Sequence, residues 1–91
     1  MNSELLDLLL RGKCESLLYG DLEQILQDER IGYKLAGIAG AYRTWKHDSN
    51  AKALTVRDEG ERPMYHRYVT KAAQHLLAVQ AAGGFHGKID T

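Results

Sequence analysis

The sequence predicts an all-α protein, a compact bundle of four to five short helices. Three observations support this. Proline occurs once in 91 residues, leucines and alanines recur at helical spacing, and the segment from Tyr33 to Lys46 sorts into a large and a small face when wound at about 100° per residue. The segment 52–62 is irregular or β-like, and there the helical reading stays open. Residues 1–84 form a single helical domain in this reading, and 85–91 a mobile C-terminal tail.

Each element has its own signals. Ser3 is positioned to cap a first helix, with Glu4 where the helix dipole favours an acid. Leu5, Leu6, Leu8, Leu9 and Leu10 follow, so apolar side chains cover more than one face. Such a helix is enclosed by its own domain or shared with a partner. Gly12 is the expected stop. After a turn holding Cys14, Leu17, Leu18 and Tyr19, the run Asp21-Leu22-Glu23-Gln24 approximates a capping box. Leu22, Ile25 and Leu26 then continue at helical spacing to Ile31-Gly32.

The third helix would run from Tyr33 to Lys46. Leu35, Ile38, Tyr42 and Trp45 fall on one stripe; Ala36, Gly37, Gly40 and Thr44 fall opposite. Two interior glycines each cost about 1 kcal/mol against alanine, which points to close approach of another backbone or to a bend. Residues 47–50 form a turn. Ala53-Leu54-Thr55-Val56 fits a short strand or a helical turn, and Asp58 to Pro63 an exposed loop. Helix and loop are favoured because no second strand is evident to pair with it. Pro63 begins the last helix. Its stripe is Tyr65, Tyr68, Val69, Ala72, Leu76 and Val79, with His66, Ala73 and Leu77 beside it, and Gly83 ends it.

Composition narrows function. The single cysteine, Cys14, excludes an internal disulfide and a multi-cysteine zinc site. The N-terminus lacks the basic start and unbroken apolar run of a secretory signal, and no stretch approaches a membrane span. A cytoplasmic setting without membrane contact is expected. His47, His66, His75 and His86 lack the spacing of helical metal ligands, so no metal or other cofactor is expected. The carboxylates Asp58, Glu59 and Glu61 sit in a loop, and no nucleophile and base assemble around Cys14 or any serine. No catalytic residue is assigned, and the chain is expected not to be an enzyme.

The charge is neutral overall but uneven. Residues 1–30 hold seven acids and three bases, and residues 31–91 nine bases and five acids. Such a chain suits docking to a partner or to itself. The leading expectation is therefore a non-catalytic protein-binding module, a regulator, adaptor or inhibitor acting through a protein partner and forming a homo-oligomer. Its contact residues would be Leu5 and Leu9 on the first helix and Ala36, Gly37, Gly40 and Thr44 on the small face of the third. The alternative is a nucleic-acid-binding regulator, helix-turn-helix-like or strand-binding, using the basic and aromatic stretch 33–57. Lys34, Arg43, Lys46, Lys52 and Arg57 would meet phosphates there.

Overall fold

The computed structural model describes residues 1–86. It overturns the all-α expectation: the fold is α+β, with three helices and a three-stranded antiparallel sheet. The helices are α1 (Ser3–Leu10), α2 (Tyr19–Gln27) and α3 (His66–Ala81). The strands are β1 (Lys34–Ala39), β2 (Tyr42–His47) and β3 (Asn50–Arg57). They form a meander in the order β1-β2-β3.

The segment expected as a third helix is the β1–β2 hairpin. Gly40 has φ +60° while Ala41 has no positive φ, and Ala39 pairs directly with Tyr42. A two-residue loop with only its first residue in that region is the type II′ turn, which wants glycine at that position. Trp45 and Arg43 point to one face, and Thr44 and Tyr42 to the other. The supposed helical stripe of Leu35, Ile38, Tyr42 and Trp45 does not exist. β3 alternates in the same way. Leu54 and Val56 are buried, while Ala53 is exposed and Thr55, between them, is half-buried. Of the two readings of 52–62, the strand holds as far as Arg57, and the rest is loop.

The helices obey local rules more closely. In α1 the cap is Asn2 rather than Ser3; its Oδ1 accepts from the Leu5 amide at 3.1 Å. Gly12 ends α1 as expected, at φ +70°, with Gly12 N–H donating to Leu9 O and Lys13 N–H to Leu8 O. α2 begins at Tyr19, before Asp21, and its N-terminus carries no side-chain cap. Pro63 does not begin α3. It pairs with Leu18 as an isolated bridge, beside a Met64 N–H to Leu17 O bond of 2.8 Å. α3 ends at Gly83, as the sequence implied. Gly83 N–H reaches Gln80 O, and Gly84 N–H reaches Val79 O.

One core joins five of the six elements; β1 contributes no buried residue to it. α3 packs along β3, α1 against α3, and α2 against β1. Leu9, Leu22, Ile25, Leu26, Leu54, Val56, Leu76 and Val79 are fully enclosed, each worth about 1.5–3 kcal/mol of burial. Trp45, 2% exposed on the central strand, donates its indole N–H to the Tyr19 hydroxyl at 3.2 Å. Phe85 is also buried, so the chain docks again just past α3; the rest of the expected tail, 87–91, lies outside the described residues. No described helix is long and apolar enough to cross a membrane.

Candidate interaction surface

β1 forms one edge of the sheet and leaves two large aliphatic side chains in solvent. Ile38 is 63% exposed and Leu35 43%. Pairing of Leu35 with Trp45 and of Gly37 with Thr44 leaves Ala36 as an extra residue, a bulge in the edge strand. Natural sheets blunt their edges with charge, proline or bulges. Here the only devices on β1 are Lys34 and the Ala36 bulge.

The six residues expected to contact a partner separate into two places. Leu9 is fully enclosed and Leu5 partly buried against the core, so Leu9 faces no partner while the chain is folded. Ala36, Gly37, Gly40 and Thr44 do come together, on the hairpin. Ala36 and Gly40 are exposed. A side chain at Gly37 would meet only Thr44, with Cβ atoms 3.9 Å apart. The Thr44 hydroxyl is 3.0 Å from that of Thr55 on β3.

The five basic residues also have distinct fates. Lys34 and Lys46 are directly opposed on adjacent strands and exposed. Lys52 is exposed on β3. Arg43 is committed within the fold: its guanidinium donates to Gly40 O at 2.7 Å and lies 3.6 Å from Asp58. Arg57 pairs with Glu59 at 3.1 Å.

A second cluster escapes the sequence reading, which placed Tyr65 and Tyr68 on a core stripe. α3 runs antiparallel to β3, as shown by Arg57 beside Tyr65 and Lys52 O beside His75. The start of α3 therefore meets the end of β3. Tyr65 is 46% exposed. The Arg57 guanidinium sits 5.7 Å from its ring centroid, and that of Arg67 sits 5.8 Å away. Arg67 also lies 4.9 Å over Tyr68, whose ring meets Tyr42 edge-on at 6.4 Å. The signal available in the sequence was Arg67 lying between two tyrosines.

Beneath the β2–β3 turn lies a third arrangement. The Tyr33 ring is flanked by His47 at 5.0 Å and His75 at 5.4 Å. His75 bridges the Tyr33 hydroxyl and Lys52 O, both at 2.7 Å, while His47 bridges Ile31 O at 2.7 Å and the Ser49 amide at 3.0 Å. Carbonyl oxygens only accept, so Nε2 of each ring carries a proton, and the Ser49 amide can only donate, so Nδ1 of His47 accepts. Every ring nitrogen is engaged in holding the fold. Cys14 is buried beside Leu9, Val69, Ala73 and Leu77 in a cavity of about 220 Å³. Burial pushes its thiol above the usual value, which disfavours the reactive thiolate. Among the described residues, no three of the His, Cys, Asp and Glu side chains converge as metal ligands.

Burial also raises two tyrosine hydroxyls: Tyr19 to about 12, with Tyr33 shifted the same way. The folded state keeps both protonated where the unfolded chain ionises. These two hydroxyls therefore leave stability unchanged below about pH 10 and lower it progressively above that. Circular dichroism and tyrosinate absorbance should change together over that range. Ionisation of all five tyrosines near pH 10 with the fold intact would contradict the buried placement.

No family model matches the sequence, and neither a curated protein nor a solved structure is significantly similar to it.

Proposed function

We propose that the protein is a non-catalytic binding module, a small regulator, adaptor or inhibitor that acts through protein contacts and associates with itself. The observation that carries this reading is the open β1 edge with Ile38 and Leu35 in solvent. An unpaired strand offers main-chain donors and acceptors to another strand, and exposed aliphatic side chains beside it add buried area on contact. A cytoplasmic setting remains part of the proposal.

The nucleic-acid alternative has less support. Of its five basic residues, Arg43 and Arg57 are already paired with Asp58 and Glu59. Tyr33 and Trp45 are buried and offer no stacking face.

Light scattering across the micromolar range tests the reading. The protein should weigh more than one chain, and Ile38→Lys should return it to a monomer with an unchanged circular dichroism spectrum, because Ile38 lies outside the core. A wild-type protein that stays monomeric throughout would remove self-association from the proposal.

A further inference from the structure

We propose that the Arg57, Arg67, Tyr65, Tyr68 and Tyr42 cluster is a docking site for an acidic, carboxylate-bearing segment of a protein partner. This deepens the reading of the protein as a protein-binding module and assigns a surface separate from the β1 edge.

Arg43 holds Asp58, and Arg57 holds Glu59, so these two carboxylates after β3 are already paired within the fold. Among the described residues, no carboxylate pairs with Arg67. Its guanidinium instead rests on two ring faces, those of Tyr65 and Tyr68. A ring face attracts the cation and fixes its plane, yet it takes up none of the N–H groups along the guanidinium edge. Those donors match a carboxylate in paired geometry. Because stacking already orders the side chain, less entropy is lost when an anion arrives.

The composition of the patch agrees. Tyrosine and arginine are the residues over-represented at the energetic centres of protein interfaces, and charged pairs there set partner choice. The same geometry disfavours a nucleic-acid strand. Guanidinium groups lie over the rings of Tyr65 and Tyr68, so these are poor platforms for bases, and strand binding depends on open aromatic faces. The neutral total charge is also low for a strand binder. The partner's own charge should therefore be acidic and its surface adapted to a small, ordered cationic patch.

Fluorescence anisotropy with a labelled oligo-glutamate peptide tests the site, using wild type, Arg67→Gln and Lys13→Gln. Lys13 is exposed in the α1–α2 turn and serves to remove the same charge elsewhere. The expected result is wild-type binding that weakens as salt rises, about tenfold weaker binding in Arg67→Gln, and no change in Lys13→Gln. An equal loss in both variants would reduce the effect to overall charge and overturn the site. So would absence of peptide binding at low salt. Tighter binding of a labelled oligothymidine, lost in Arg67→Gln, would replace the acidic protein with a nucleic acid. Loss of self-association in Arg67→Gln, seen by light scattering without any peptide binding, would make a second copy the occupant and overturn the proposal. The two readings separate through Ile38→Lys: it should change molecular mass and leave peptide binding intact, so either can fail without the other.

Discussion

Trp45→Ala is expected to lower stability by about 3–5 kcal/mol, the usual range for emptying a fully packed aromatic site. The side chain is central in three senses. It lies on the middle strand, pairs with Leu35 on one side and Leu54 on the other, and donates its indole N–H to Tyr19 on α2. Removing it leaves a cavity beneath the sheet and deprives the buried Tyr19 hydroxyl of its donor. A chain of this length has a small reserve to absorb such a loss. Urea unfolding followed by circular dichroism should show a midpoint near zero denaturant or no folded baseline. Trp45→Phe keeps most of the volume and should retain a measurable transition. A loss below 1 kcal/mol for the alanine variant would mean that α2 does not close over the sheet at this point.

The second large effect is expected at Gly84. A Cβ there would lie 2.5 Å from Val79 Cγ1, 2.7 Å from His47 Cε1 and 2.9 Å from Ser49 Oγ. The Ser49 hydroxyl can rotate away, but the other two atoms cannot yield easily. Val79 is fully enclosed, and His47 is held at both ring nitrogens. Gly84→Ala should therefore cost about 1–3 kcal/mol through overpacking, seen as a melting temperature lowered by roughly 4–8 °C per kcal/mol. Gly20→Ala provides the contrast. Nothing lies within 4 Å of a Cβ at that position in α2, so alanine there should be neutral or stabilising through helix propensity. Equal melting temperatures for the two variants would show that the close packing of Gly84 on the β2–β3 turn is not maintained.

The helical parts were legible because their signals are local. Gly12 and Gly83 end helices where glycine with positive φ is wanted, and Leu22, Ile25, Leu26, Val69, Ala72, Leu76 and Val79 repeat at the helical period and are buried. The sheet was not legible, and one misassignment caused another. Winding 33–46 as a helix gave Leu35, Ile38, Tyr42 and Trp45 a plausible common face. It also hid the partner that the 53–56 run needed, so that run looked like an unpaired strand. The contrary signal was present in Gly40-Ala41, a two-residue loop between two runs able to form strands. The interior glycines, treated as an oddity of a helix, are ordinary in a hairpin.

The candidate surface has a related history. Ala36, Gly37, Gly40 and Thr44 are neighbours on a hairpin instead of a helix face. Tyr68 packs partly buried against the core, but Tyr65 was misplaced because helical phase alone cannot tell which end of α3 overhangs the sheet. That depends on where β3 stops, and β3 had not been recognised. Arg67 gains its setting only from this end-to-start meeting of strand and helix.

The bridge between Leu18 and Pro63 has a consequence for how the molecule is made. α1 rests on α3, and the segment leading into α2 is fastened to the residues just before α3. α1 precedes the strands in the chain, so during synthesis the leucine-rich helix waits without its packing surface while the whole meander is produced. The three strands can pair with their neighbours in sequence as they appear. α2 has β1 and Trp45 to pack on before α3 appears, but α1 can be closed into place only when α3 arrives, and until then the nascent chain exposes its most apolar segment.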